Sequence, residues 1–155
     1  MSEYSAKVAW NRQPGEAFID NKYSRGHTWE FDGGAVVAAS SAPSIVPLPY
    51  SVEANIDPEE AFIASLSSCH MLFFLAIAVK RGFVIDEYID NSIGIMEKDG
   101  DGKISITKVT LRPQVIFSSD KKPTLETLEK MHHQSHDQCF IANSVKTQVT
   151  IEIVL

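Results

Sequence analysis

The chain has 155 residues, of which 44% are hydrophobic and 22% charged, a balance typical of a globular protein rather than a disordered polypeptide. Its formal net charge is −6 and it has no basic run, which argues against nucleic acid or an anionic membrane as a partner, because both are bound by clustered Lys and Arg. This length predicts a single domain over residues 1–155.

The first fifty residues predict short strands joined by turns. Residues 5–13 partly alternate between apolar and polar side chains, which indicates a strand. Residues 13–27 carry Pro, Gly, Asp and Asn, so they predict turns, with a short strand around Phe18. Residues 27–40 predict a hairpin that turns at Asp-Gly-Gly. The proline-rich residues 42–50 predict a loop, which is the best candidate for a pocket wall.

A long helix is predicted next, over residues 58–81. Asp57 is a favourable N-cap and Gly82 suits the position after the last helical residue. No Asp, Glu, Lys or Arg occurs between Glu60 and Lys80, so the helix is apolar on every side.

Such a helix would be about 36 Å long, whereas a domain of this size has a radius of gyration near ~15 Å. It therefore spans the molecule and needs cover on every side. The run is long enough to cross a membrane, but three serines and a histidine interrupt it and it is the only such run. We expect instead a homodimer in which two copies of the helix pack together.

The second half of the chain predicts more strands and one further helix. Residues 83–119 read as strands with a hairpin turn at 98–103. Residues 122–139 predict a helix with Thr124 as its N-cap, and residues 142–155 end the chain with an alternating strand. The order of elements indicates an α+β fold with mostly antiparallel sheet.

Histidines offer two alternatives on the second predicted helix. His132 and His136 stand at i and i+4, a spacing that suits a pair of metal ligands. No third ligand is evident, so a polar helix face is the favoured interpretation. His70, inside the charge-free run, is interpreted as a polar residue of the core or of the dimer interface rather than as a general base.

The two cysteines, Cys69 and Cys139, are 70 residues apart and form no CxxC motif. The N-terminal residues lack a basic region followed by an apolar one, so we expect the reducing cytoplasm, where unpaired thiols are the rule. A thiol reacts as its thiolate, which a nearby cation or hydrogen bonds must stabilise. From these residues alone, Cys69 is either an inert core residue or a reactive thiol.

Taken together, the motifs resemble the OsmC/Ohr family of thiol-dependent peroxidases. The resemblance rests on Asp57-Pro58-Glu59 at the start of a long helix, Cys69 ten residues after that Glu, and Cys139 at the end of the later helix. It implies an OsmC-like fold, an intertwined homodimer and reduction of organic hydroperoxides. Cys69 would be the peroxidatic thiol and Cys139 the resolving thiol of an intramolecular disulfide. An external dithiol of the lipoyl type would be the reductant, without a metal or another cofactor.

The resemblance also implies a Glu and an Arg beside the reactive thiol. The Glu corresponds to Glu59, but ten helical residues place it ~15 Å from Cys69 along the axis. We therefore expect Glu59 to act on Cys69 of the partner subunit. Arg25 in the segment Tyr-Ser-Arg-Gly-His corresponds to the Arg, with Arg12 as the alternative.

Two other functions fit the same residues. One is a binding protein with the OsmC fold whose cysteines do not turn over. The other is a redox sensor in which a disulfide between Cys69 and Cys139 changes the shape that a partner recognises.

Overall fold

The computed structural model describes residues 1–118 and 120–155, which form two compact units, Met1–Ala61 and Phe62–Leu155. The described residues contain two α-helices and strands in three small sheets, an α+β architecture as predicted. Strand pairing is antiparallel except for one parallel pair and two isolated parallel bridges.

The first unit is built on a three-stranded antiparallel sheet of β1 (Ala6–Ala9), β2 (His27–Phe31) and β3 (Val36–Ala39), in that order. The predicted hairpin is therefore confirmed. The predicted strand around Phe18 is wrong, since this residue lies in a turn at φ 72°. Its ring stacks on that of Tyr23 at 4.5 Å between centroids, and this aromatic contact accompanies a left-handed backbone that a strand cannot adopt.

Helix α1 covers Pro58–Arg81, the range that the sequence predicts. A capping box closes its first turn: Glu60 N donates to Asp57 Oδ1 at 2.7 Å, and Asp57 N donates to Glu60 Oε1 at 2.8 Å. At the other end Gly82 adopts φ 72°, and Phe83 N donates to Ala78 O at 3.0 Å, the bond that ends a helix in a Schellman motif.

Much of the apolar surface of α1 has no cover within the described part of the chain. The side chains at Leu66, His70 and Phe74 are buried, whereas Leu72 and Val79 are 59% and 76% exposed. By length and composition α1 could cross a membrane, and 28% of its most apolar stretch is buried. Exposed Leu and Val side chains along such a helix indicate a surface that another apolar surface covers.

The second unit pairs its strands in two sheets. One sheet joins two strands antiparallel, β4 (Ile85–Asp90) and β7 (Pro113–Phe117). The other contains β5 (Ile93–Lys98), β6 (Ile104–Leu111) and β8 (Gln148–Ile151), with β8 parallel to β6. The last strand is thus shorter than predicted, because a 3-10 turn over Ala142–Ser144 precedes it.

Helix α2 covers Leu125–Gln138, and Thr124 caps it as predicted by accepting a hydrogen bond from Thr127 N at 3.2 Å. Its buried side chains Leu128 and Met131 pack with the buried face of α1 in one hydrophobic cluster. This packing brings the middle of α1, which contains Cys69, close to the C-terminal end of α2, where Cys139 lies.

Candidate active site

Cys69 lies in the middle of α1 and Cys139 is the C-cap of α2. Both thiols are free, and Cys69 lies close enough to Cys139 to affect its pKa. Cys69 is half-buried, whereas Cys139 is buried and its sulfur accepts a hydrogen bond from Ala142 N at 3.4 Å. The structure therefore brings together two residues that stand 70 positions apart in the sequence.

The two thiols differ in their surroundings. Burial raises the pKa of the Cys139 thiol, and the contact with Cys69 acts in the same direction, while the N–H of Ala142 opposes it. Cys139 therefore remains protonated at neutral pH, with an S–H that can donate a hydrogen bond to the Cys69 sulfur.

An apolar pocket of about 240 Å³ opens beside Cys69. Its lining consists of Cys69 and four apolar side chains, namely Leu72, Phe73, Ala76 and Phe140. The rings of Phe73 and Phe140 meet edge to face, with centroids 4.9 Å apart. A compound that reached the Cys69 sulfur through this pocket would contact hydrocarbon on all the lined sides. The prediction that residues 42–50 form a pocket wall stays a prediction.

Glu59 lies in the first turn of α1, in the unit that ends at Ala61. Its Oε2 atom is buried and has no hydrogen-bond partner among the described residues. A buried carboxylate oxygen without a partner is costly, so this residue is either strained or has a partner outside the chain.

Arg25 lies in the same unit as Glu59, and no ion pair joins the two within the described residues. Its guanidinium lies 3.6 Å from the centre of the Tyr23 ring and donates to Asn21 O at 2.9 Å and Asn21 Oδ1 at 2.6 Å. The alternative, Arg12, donates to Glu16 O at 2.6 Å. The expectation that either Arg serves the thiol stays a prediction.

His70 and His132 form a buried pair that the sequence reasoning did not foresee. His70 Nε2 and His132 Nδ1 are 3.0 Å apart, and the two residues are 1% and 2% exposed. Burial lowers the pKa of His70 to about 4, with His136 acting in the same direction and Asp90 opposing. Burial also lowers the pKa of His132 to about 3, and His70 adds to that effect.

These contacts correct the reading of the second helix's histidines as one polar face. His132 is buried, whereas the neighbouring His133 is on the surface, 3.4 Å from Asp137. No group of three His, Cys, Asp or Glu residues that could hold a metal ion occurs in the parts of the chain that the structure describes. Met131, the residue before His132, is also buried.

In comparisons with known proteins, the chain matches the model of one protein family. The family model for OsmC-like proteins matches residues 52–154, while no curated protein matches the chain. An OsmC-like protein of unknown function from Vibrio cholerae is 62% identical; the match covers 99% of this chain and 100% of that one, with a TM-score of 0.98.

More distant solved structures share the fold. An organic hydroperoxide resistance protein from Legionella pneumophila is 12% identical, with a TM-score of 0.70 and all of both chains covered. One from Bacillus subtilis is 19% identical, with a TM-score of 0.62 and with 97% of this chain and 98% of that one covered. At such identities the likeness concerns the fold alone.

Proposed function

Because the chain belongs to the OsmC-like protein family, we propose that it is a homodimeric thiol peroxidase that reduces organic hydroperoxides. The observation that carries this proposal is the contact between two free thiols, one of them beside an apolar pocket. Two of the distant relatives of the same fold are described as organic hydroperoxide resistance proteins, which supports the same substrate class.

The environments of the thiols support the proposed division of roles. Cys69 is half-buried and lines the pocket, so a peroxide can reach it and it is the attacking residue. Cys139 is buried, and its raised pKa keeps it as a thiol until Cys69 has been oxidised. A resolving residue needs contact with its partner rather than access to solvent, and Cys139 has that contact.

The reaction then has three steps. The Cys69 thiolate attacks the terminal oxygen of ROOH, the O–O bond breaks, and RO⁻ leaves and takes up a proton, which gives ROH and a sulfenic acid. The Cys139 sulfur attacks the Cys69 sulfur; hydroxide leaves and takes the Cys139 proton, which yields water and a disulfide. An external dithiol reduces this disulfide to two thiols and is itself oxidised to a disulfide. No cofactor is required for any of these steps.

The pocket favours organic hydroperoxides over hydrogen peroxide. Its four apolar lining residues bury the hydrocarbon part of a substrate, which contributes on the order of 25 cal/mol per Å² of apolar surface removed from water. Hydrogen peroxide has no such part and gains nothing there. A compact aryl-alkyl group such as that of cumene hydroperoxide is therefore a suitable probe.

The exposed apolar residues of α1 support the homodimer, in which the same surface on each copy covers the other. Within it, Glu59 would act on Cys69 of the partner subunit, and its unpartnered buried oxygen would be satisfied there. The arginine that Glu59 orients would be Arg25, whose guanidinium stabilises the thiolate and the developing alkoxide. This reaction requires free thiols and a dithiol reductant, and the reducing cytoplasm provides both.

Turnover of cumene hydroperoxide with a lipoyl-type dithiol tests the proposal. Wild-type protein is expected to turn over repeatedly, and Cys69→Ser is expected to lose at least about three orders of magnitude of activity, because the nucleophile is removed. The matched control Cys139→Ser still consumes about one equivalent of peroxide per Cys69. Wild-type consumption that stops at one equivalent despite excess dithiol would indicate a redox sensor. An unreactive Cys69 would indicate a binding protein.

Mixed dimers test the role of Glu59. A Glu59→Ala chain paired with a Cys69→Ser chain has one complete site if Glu59 acts across the interface, so activity returns on mixing. The control pairs Glu59→Ala with a chain that carries both substitutions, and no activity is expected to return. If the first mixture gains no activity over the separate variants, Glu59 does not act on the partner subunit.

A further inference from the structure

Two neighbouring residues of α1 each contact α2. Cys69 contacts Cys139, and His70 Nε2 is 3.0 Å from His132 Nδ1. On α2, His132 and Cys139 are seven positions apart, about 10.5 Å along the axis and on the same face. The thiol contact and the imidazole contact are thus two points at which the same face of α2 is held against α1.

Burial and ring stacking constrain the imidazole pair. The two rings are parallel within 6°, and the Phe74 ring stacks on that of His132 with centroids 4.2 Å apart. Both histidines are almost fully buried, so water does not compete for their hydrogen bond. His70 Nδ1 and His132 Nε2 have no partner among the described residues, so a shift of α2 that broke the bond would leave still more unsatisfied nitrogens in the core.

We propose that His70 and His132 are positioning residues for the disulfide step: their hydrogen bond holds α1 and α2 in the register at which the Cys69 and Cys139 sulfurs meet. A disulfide forms only over a narrow range of Cα separations and side-chain directions, so a small movement of α2 disfavours it. The inference rests on the part of the proposed function in which these two thiols pair, and not on the peroxide chemistry.

A second hydrogen bond between the same helices offers a control. Arg81 Nη2 donates to Gln134 Oε1 at 2.9 Å, but on the surface, where water replaces either partner. Removing this bond keeps the α1–α2 contact and leaves the buried pair intact. Arg81→Leu is therefore expected to have no effect on the pairing of the thiols.

The test is the equilibrium of the folded protein with glutathione. Glutathione disulfide accepts two electrons from the thiols, and the protein disulfide and two molecules of glutathione result. Three variants change the pair. His70→Phe keeps the ring without nitrogens, and His70→Asn places its amide one carbon short of the His132 nitrogen. His70→Gln keeps an amide at the distance of Nε2 and can still bond to His132.

We expect His70→Phe and His70→Asn to lower the equilibrium constant for disulfide formation about tenfold, the effect of one lost buried hydrogen bond. His70→Gln is expected to stay within about threefold of wild type, and Arg81→Leu within about twofold. Circular dichroism checks that each variant is folded. Should His70→Phe not fold, the comparison of His70→Asn with His70→Gln decides, since they differ by one methylene group.

Three results would overturn the inference. One is an equal constant in wild type and in folded His70→Asn. Another is a decrease for His70→Gln as large as for His70→Asn, which would make the hydrogen bond irrelevant. The third is a wild-type protein that forms no disulfide between Cys69 and Cys139 in this assay. Because the assay contains no hydroperoxide, a protein that fails as a peroxidase but gives the expected constants refutes the proposed function alone.

Discussion

Two faces of α1 near the middle of the helix differ in exposure, although the residues of both belong to one charge-free run. The face of Cys69 and Leu72 lines a pocket and is partly exposed. The face of His70 and Phe74 is buried against α2. A rotation of about 100° per residue separates the side chain that lines the pocket from the one that is buried against α2. The average hydropathy of the run does not distinguish the two faces. The residues that pack against each face determine the role of its side chains.

The largest expected difference between the faces concerns stability. Phe74→Ala removes a fully buried ring that packs on Tyr88 and His132, and we expect it to lower the free energy of unfolding by about 3–5 kcal/mol. Phe140→Ala, which removes a ring that packs against Phe73 beside the pocket, changes a residue that is 71% exposed and is expected to cost less than about 1 kcal/mol. Urea unfolding measures both, and similar losses would contradict the contrast between the faces.

The buried face also predicts a pH dependence of stability. His70 and His132 have folded-state pKa values of about 4 and about 3, below the ordinary 6.5. The unfolded chain therefore binds protons below about pH 6.5 while the folded chain does not, so stability falls as the pH falls towards 4. The expected loss by about pH 5 is on the order of 2 kcal/mol for each imidazole.

Urea unfolding at several pH values, for wild type and for His70→Gln, isolates this contribution. Gln does not titrate, so the variant is expected to lose less stability than wild type between about pH 7 and about pH 5. The four other histidines are present in both proteins. Identical slopes for the two proteins would show that His70 is not held neutral by the fold.

The smallest expected effect is on substrate binding at the open face. Phe140→Ala removes one wall of the pocket beside Cys69, so we expect the KM for cumene hydroperoxide to rise about tenfold and that for hydrogen peroxide to stay nearly constant. Steady-state kinetics with both peroxides measures the ratio. An equal rise in both KM values would mean that the pocket does not select the organic group.

Local signals in the sequence were enough to predict α1. Asp57 and Gly82 mark its ends, because a capping carboxylate and a left-handed glycine act on the residues next to them. The proximity of Cys69 to Cys139 is a tertiary contact between residues far apart in the sequence. The resemblance to a family predicts it, whereas the periodicity of the sequence does not. The remaining site residues, Glu59 and Arg25, stay predictions.

Two other features were out of reach of local reasoning. The bond between His70 and His132 joins residues 62 positions apart, and an imidazole in an apolar run does not reveal its partner. Phe18 lies in a turn with φ 72°, and its ring stacks on that of Tyr23. The propensities of the residues concerned predict neither of these side-chain contacts.

Oxidation of the reduced protein by one equivalent of cumene hydroperoxide tests whether the two thiols react as a pair. We expect loss of both thiols, release of one equivalent of the alcohol, and a disulfide between Cys69 and Cys139 in the peptide mass map. In the Cys139→Ser variant, we expect a sulfenic acid at Cys69 instead of the disulfide. Recovery of intact peroxide together with two titratable thiols in the folded wild-type protein would refute the proposed thiol chemistry.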